Sequence, residues 1–459
     1  MHTDYLIVGC GALGMSAADQ LLEETDATIV MVDRRHAPGG HWNDAYPFVR
    51  LHQPSAFYGT GSRQLGANRI DETGFNAGYY ELASGPELLC YFDGLMRERF
   101  LPSDRVRYFP MSEHQGDGRV VSLLSGEVRT IEVRKKTIDA TFFNAALPST
   151  HPPAYAVADG VRVVPPNALP SEAPRFARYT LVGGGKTAMD AGVWLLQHGA
   201  RPDAIRWIAP RASWLINRET TQPGEAFFHR FIGSRAAQLE ASAAATSVED
   251  LFDRLEASGQ LLRIDRHVRP TMYRGATISV AEVALLSAIG DVVRMGRVRR
   301  IERDRVVLEH GEMSAATDTL YIDCSANALG TRPAEPVFSE GRITIQMVRA
   351  GLLTLSAAVI AHMEAAYAGD AEKNYLCPPI PVADTHTDWL RLTLADLEVQ
   401  RRWAADPSLK RWVQHHRLSG SPVRAPDGGQ PDPEALAIRQ RIRDASAPAR
   451  ANLERLLQT

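Results

Sequence analysis

Gly9-Cys10-Gly11-Ala12-Leu13-Gly14 follows the apolar run Tyr5-Leu6-Ile7-Val8, and Gly183-Gly184-Gly185-Lys186-Thr187-Ala188 follows Tyr179-Thr180-Leu181-Val182. Each stretch reads as a buried strand, a glycine turn and the start of a helix, the order in which a dinucleotide-binding unit is built. In the first, Gly9 permits the tight turn, Gly11 lets backbone approach phosphate, and Gly14 lets helix and strand pack closely. The helix expected over 12–24, opening with Ala12 and Leu13, would point free N–H groups at a pyrophosphate. In the second, Gly183 and Gly185 take the turn and approach positions, Ala188 the close-packing one, and Thr187 to Gln197 the helix. Two such loops predict two dinucleotides and an α/β chain with two Rossmann-like domains.

The residues downstream of each loop distinguish the ligands. A second strand, Ala27 to Val32, ends in Asp33, with Arg34 beside it, nineteen residues after Gly14. A carboxylate there accepts from a free ribose 2′-hydroxyl and repels a 2′-phosphate, so the first site suits FAD or NAD. After the second loop the corresponding strand, Ala204 to Ala209, ends in Pro210-Arg211, with Arg218 a few residues on. Guanidinium pairs well with a 2′-phosphate, and Lys186 adds positive charge at the phosphate end, so this site is expected to take NADPH.

The 459 residues suggest two or three domains, and 44% hydrophobic with 23% charged residues describes a soluble globular chain. A net charge of -3 gives no global attraction to nucleic acid or anionic lipid. The chain shows neither a signal-like start nor an apolar stretch near the roughly 18 residues that span a bilayer, so a cytoplasmic location is expected. Cys10, Cys90, Cys324 and Cys377 are scattered, which removes a Cys-x-x-Cys redox pair and a zinc knuckle; no metal is expected.

Gly39-Gly40-His41-Trp42-Asn43-Asp44-Ala45-Tyr46-Pro47 resembles the G-G-x-W stretch of the flavin-containing (class B) and Baeyer-Villiger monooxygenases, which contacts FAD. The resemblance implies FAD for the first loop, with Gly40, His41 and Trp42 against it. It continues through Arg50-Leu51-His52-Gln53-Pro54-Ser55, which makes His52, Gln53 and Ser55 flavin-neighbouring candidates. Ile138-Asp139-Ala140-Thr141-Phe142 and Tyr321-Ile322-Asp323-Cys324-Ser325 resemble A-T-G crossover segments that have lost the glycine. The implied fold is a glutathione-reductase-like FAD domain (1–165 and 320–375) with an inserted NAD(P)H domain (166–319) and a helical C-terminal extension (376–459). The F-x-G-x-x-x-H fingerprint of those monooxygenases is absent, since 160–182 contain no histidine. By this resemblance NADPH reduces FAD, O2 adds to the reduced flavin, and a peroxyflavin oxygenates a small organic substrate. The alternative is an FAD-dependent reductase or dehydrogenase serving a quinone, small-molecule or protein acceptor.

Elsewhere, Leu88 to Phe100 reads as an amphipathic helix and Val292 to Glu309 as a hairpin whose arginines lack the aromatics needed to stack nucleic-acid bases. A helix is expected at Leu352 to Ala366. The tail carries candidate helices at Thr387–Trp403 and Pro433–Leu457 around a Pro, Gly and Asp-rich loop at 419–432, and could cap the flavin domain or form a homodimer interface. His151 reads as a surface-loop residue that would matter only if the first crossover carried it to the active site.

Overall fold

β1 (His2–Val8) runs through Gly9 into α1 (Ala12–Glu24), and the return strand β2 (Ile29–Val32) lies parallel to β1 with Tyr5 opposite Ile29 and Val8 opposite Val32. Both faces of β2 are covered, which is why it reads as an unbroken apolar run. The computed structural model describes residues 1–143, 145–326, 332–420 and 432–458. After an irregular excursion over 39–84 comes α2 (Gly85–Leu95), opened by a reciprocal capping box between Ser84 and Glu87. The helix turns on in a wider coil through Met96–Phe100. β3 (Val106–Phe109) joins the far edge of β2. An antiparallel meander of β4 (Ser112–His114), β5 (Arg119–Ser122) and β6 (Val128–Thr130) then leads to β7 (Glu132–Asp139), parallel to β1 on its other side.

The second unit begins with β8 (Ala156–Val157) and β9 (Arg162–Val164), followed by the short α3 (Leu169–Glu172). β10 (Arg178–Val182), α4 (Lys186–Gln197) and β11 (Ile205–Ile208) repeat the β1-α1-β2 plan. β12 (Ser213–Asn217), α5 (Phe228–Ala244), α6 (Val248–Ala257), β13 (Leu261–Leu262), β14 (Met272–Ile278) and α7 (Val280–Leu286) form a subdomain around the small sheet β13-β12-β14. β15 (Asp291–Val293) extends the main sheet, β16 (Val298–Ile301), β17 (Arg305–Leu308) and β18 (Gly311–Ser314) form a meander, and β19 (Thr319–Asp323) inserts beside β10. The result is an all-parallel sheet ordered β15-β11-β10-β19-β9.

β20 (Phe338–Ser339) and β21 (Arg342–Thr344) complete the first sheet as β20-β21-β7-β1-β2-β3. α8 (Leu353–Ala366), buried without a break from Thr354 to Met363, packs on α1, as an all-round apolar helix must. α9 (Asp370–Leu376), α10 (His386–Ala405), α11 (Pro407–His415) and α12 (Pro433–Leu456) follow in the C-terminal part of the chain.

The α/β architecture with two dinucleotide-type sheets is present, with shifted seams. β8 and β9 pair within the second unit, and so does β19, whereas the sequence puts the seams at 165/166 and 319/320. The strands β7 and β19 pair with the sheet the chain is leaving, whereas β8 and β9 pair with strands of the unit it is entering. Val292 to Glu309 contains the expected antiparallel hairpin, β16 with β17, but its first residues belong to β15 in the parallel sheet. The tail folds on its own chain: Arg417 beside α11 donates to the carbonyls of Ala56 and Tyr58, and α12 lies along α5. α12 contains Pro448, which lacks the N–H for a helical hydrogen bond, and its neighbours Ala445 and Ala449 are buried with Leu239 of α5. Residues 421–431 of the proline-rich tail loop lie outside the described residues.

Candidate functional site

At the first loop, Gly9 has φ +99 and Gly40 has φ +57, and a Cβ on Gly40 would stand 2.8 Å from Gly11 Cα. Gly39-Gly40 therefore leans on the approach glycine, so the two glycine stretches form one cradle. α1 carries no side-chain cap, which leaves its first-turn N–H groups, at Ala12 and Leu13, to a ligand. A Cβ on Gly14 would fall well inside the contact radius of Gly9 O, so glycine is required there for close packing. Asp33, at the end of β2, is buried; Oδ2 accepts from Cys10 N–H at 2.6 Å and Oδ1 from Arg35 N–H at 2.8 Å. The carboxylate is thus aimed beside the loop before any ligand arrives. Arg34 points away, 3.5 Å from Glu113. His41 lies against Trp42, whose Nε1 donates to Tyr58 Oη at 2.9 Å. Burial, reinforced by Arg35, pushes the His41 imidazole down to about 4.

The second loop has the same shape. Gly183 has φ +132, and a Cβ there would meet Cys324 O. α4 also lacks a side-chain cap, and a Cβ on its N-cap, Gly185, would find no heavy atom within 4 Å, so there is room for a phosphate. Each crossover closes on its loop by one device. Asp139 Oδ1 accepts from Thr141 N–H at 2.8 Å and Thr141 Oγ1 at 2.6 Å; Asp323 Oδ1 accepts from Ser325 N–H at 3.1 Å and Ser325 Oγ at 2.6 Å. Each Asp-x-Ser/Thr turn lies just before the position where the A-T-G pattern would place its glycine, occupied here by Phe142 and Ala326.

Between the loops lies a buried ionic network. Lys186, at the start of α4, pairs with Asp190 one turn on and stands 3.6 Å from Glu282. Glu282 Oε2 is 2.8 Å from Arg218 Nη1, and Arg218 also donates to Asn76 Oδ1 at 3.4 Å and to the His52 carbonyl at 3.3 Å. Tyr46 donates to Asp190 Oδ2 at 2.7 Å, binding the 39–84 excursion to α4. Burial alone would raise the Glu282 carboxyl, but Lys186 and Arg218 hold it below its ordinary value. The Thr277 N–H donates to His52 Nδ1 at 3.0 Å, which leaves the proton on Nε2. Burial, aided by Lys186 and Arg218, pushes His52 down to about 3, so it is neutral near pH 7.

This placement corrects one expectation and changes others. Arg218 is 1% exposed, held between Glu282, Asn76 and His52, so it is not a reader of a 2′-phosphate. Arg211 does stand at the second loop, but its guanidinium is engaged by Asp384 of the tail. Ser55 is 1% exposed; it donates to the Glu81 carbonyl and accepts from Ala83 N–H, so it shapes the loop instead of facing a flavin. Gln53 donates to Gly351 O at 3.4 Å, just before the uncapped start of α8. His151 is exposed on its loop. Asp190, Glu282, Asp384 and Arg274 are not singled out by sequence. The spacing Lys186 to Asp190 and the capping pattern Ser279 to Glu282 are visible there, but neither announces a partner distant in sequence.

No protein-family model matches the chain. No helix of the described residues is long and apolar enough to cross a membrane. Among solved structures, closed cyclohexanone monooxygenase is similar over 98% of this chain and 98% of its own, at 14% identity and a TM-score of 0.50. An NADP+-bound mutant of the cyclohexanone monooxygenase from Rhodococcus sp. Phi1 is similar over 82% and 87%, at 14% identity and a TM-score of 0.51. The chain accordingly shares with these structures an α/β fold built on two mainly parallel sheets. Among curated proteins, "Uncharacterized protein Rv2000" of Mycobacterium tuberculosis and "Uncharacterized protein Mb2023" of Mycobacterium bovis are each 51% identical over 419 residues, 91% of this chain and 78% of theirs. With half of its residues identical over nine-tenths of its length, the chain belongs to the family of these mycobacterial proteins.

Proposed function

We propose that the chain is an FAD-dependent monooxygenase, reduced by NADPH, that acts on a small organic substrate. The observation that carries this reading is the pair of matched cradles: two uncapped helix starts, α1 and α4, each walled by glycines where a Cβ would collide and each backed by the same Asp-x-Ser/Thr turn. The residues present fit the two groups. The backbone of Gly9, Gly11, Ala12, Leu13 and Gly14 would hold the FAD pyrophosphate and Asp33 its ribose, with Gly40, His41 and Trp42 beside them. Gly183, Gly185, Lys186 and Thr187 would hold the NADPH pyrophosphate, and Arg211 its 2′-phosphate.

Bound FAD supplies a two-electron acceptor that a nicotinamide hydride can reduce and from which oxygen can draw the electrons. The protein's own work is to position and to exclude water. Tyr46, Asp190, Lys186, Glu282 and Arg218 close the junction with matched charges, so water has no unpaired ion there to solvate. His52 Nε2 keeps its proton and can donate a hydrogen bond but not shuttle a proton near pH 7. Buried Cys10 and Cys324 have thiols raised well above their ordinary range by burial, so neither is a thiolate nucleophile.

The test is NADPH oxidation by the purified protein under 18O2 with a substrate panel. One labelled oxygen atom in the product supports the monooxygenase, whereas NADPH consumption with labelled peroxide alone, and rapid turnover with quinones, transfers the assignment to a reductase. Gly11→Val should purify colourless; stoichiometric flavin in that variant would remove FAD from the first loop.

A further inference from the structure

We infer that Asp384, in the segment entering α10, sets the coenzyme preference of the second loop by occupying the two arginines that a 2′-phosphate needs. The inference rests on the reading of that loop as a nicotinamide site. A Cβ on Gly184 would lie 3.0 Å from Arg211 O, so Arg211 sits directly against the loop, just past the end of β11, where the ribose 2′ position is read. Its guanidinium meets Asp384 fork to fork, Nη1 to Oδ2 and Nη2 to Oδ1, both at 2.8 Å. From β14, Arg274 Nε reaches the same Oδ1 at 2.7 Å. The backbone holds the acid in place: Asp384 O accepts from Tyr273 N–H at 3.0 Å, and Thr385 caps α10.

Two guanidiniums converging on one group is the arrangement that suits a phosphate, and here a carboxylate of the same chain fills it. The cluster is on the rim, with the Arg211, Arg274 and Asp384 side chains 33%, 38% and 40% exposed, so a ligand can reach it. Hydrogen bonds from Arg211 first, then Arg274, hold the Asp384 carboxyl down at about 2, so it stays charged at every working pH. A 2′-phosphate must share or displace that charge. The 2′-hydroxyl of NADH meets an acceptor instead. Asp384 therefore lowers the advantage that Arg211 and Arg274 would otherwise give NADPH.

The experiment measures binding without turnover, by calorimetry with 2′,5′-ADP, 5′-AMP, NADP+ and NAD+ on the flavin-loaded wild type and on Asp384→Ala and Asp384→Asn. Both variants should bind 2′,5′-ADP and NADP+ roughly tenfold tighter, the low end for a charge-assisted phosphate contact at a half-exposed site, and 5′-AMP and NAD+ no tighter. Adding Arg211→Ala and Arg274→Ala to Asp384→Ala should cancel the gain. An unchanged ratio between phosphorylated and unphosphorylated ligands, with all four still binding, overturns the inference alone. Failure of all four ligands to bind the wild type overturns the nicotinamide assignment of the second loop and the inference with it. Melting curves and flavin content identify a misfolded variant, and Asp384→Asn, which keeps the size and the polar contacts, then carries the test.

Discussion

Gly40→Ala puts the contact between the two glycine stretches of the first cradle under direct strain. At φ +57 an L-residue costs about 1–2 kcal/mol relative to glycine. The new Cβ would stand 2.8 Å from Gly11 Cα, against the roughly 3.5–4.0 Å preferred between carbons. The obstructing atom is backbone and cannot rotate away, so relief means moving 39–40 off Gly11, and overpacking of that kind costs about 1–3 kcal/mol. The sum, about 2–5 kcal/mol, falls on the wall of the proposed FAD pyrophosphate site. If half of the lower figure is expressed in flavin binding, the dissociation constant rises roughly fivefold; the upper figure expressed in full gives a rise beyond a thousandfold. The assay is the flavin-to-protein ratio of the purified variant, followed by titration of the stripped protein with FAD. Gly185→Ala is the internal control, because its φ is -93 and its Cβ faces empty space. Its fold and flavin content should match the wild type within about 1 kcal/mol, the unfolded-state gain offsetting the weaker cap, while nicotinamide binding weakens as the methyl enters the phosphate space. Stoichiometric flavin and an unchanged affinity for FAD in Gly40→Ala would refute the reasoning.

Arg218→Met should cost about 3–5 kcal/mol, because it leaves Glu282 charged and buried, and Arg218→Met with Glu282→Met should recover much of that; urea unfolding followed by tryptophan fluorescence checks both, and a single-variant loss under 1 kcal/mol would contradict the buried pairing. The same Arg218→Met should leave the NADP+ to NAD+ affinity ratio unchanged, since the side chain faces the junction and not the ribose site. Folded pKa values of about 4 for His41 and about 3 for His52 lie below the unfolded value, so their stabilisation is full above pH 6.5 and is lost as pH falls toward 4 and then 3. His41 alone accounts for up to about 3 kcal/mol of this loss; the melting temperature should decline from pH 6.5 to 4.5, less steeply in His41→Asn, and a flat profile would count against buried neutral histidines.

The glycine loops are legible in the sequence because a tight turn, a close approach and a helix start are local, and glycine is the residue that allows all three; α1 and α4 start within a residue of the expected positions. The crossover segments are legible as strands but their sheet is not, since β19 pairs with β10 by a parallel contact across about 140 residues that no local pattern encodes. α11 escapes a sequence reading because its nine residues present only a short apolar stripe beside a proline start. The largest loss is at the arginines. A single chain shows where a cation sits along the sequence and not which acid the fold brings to it, and Asp384 is 173 residues from Arg211.

That loss has one physical origin. Lys186, Arg211 and Arg218 all read as cations waiting for phosphate, and the fold gives each a carboxylate: Asp190, Asp384 and Glu282. It must, because an unpaired cation taken out of water costs several kcal/mol, and the chain has to fold before a dinucleotide arrives. Which of the three can trade its internal acid for a ligand is then decided by access. Arg218, with its side chain 2% exposed, cannot change partner without opening the junction; Lys186, 19% exposed, is held by two acids. Arg211, 33% exposed and paired with an acid that is itself 40% exposed, is the cation whose partner a soluble phosphate can replace at least cost. On the proposed reading, coenzyme choice is a competition between an internal carboxylate and an incoming phosphate for one pair of guanidiniums, and removing the carboxylate should strengthen NADPH binding and give NADH no gain.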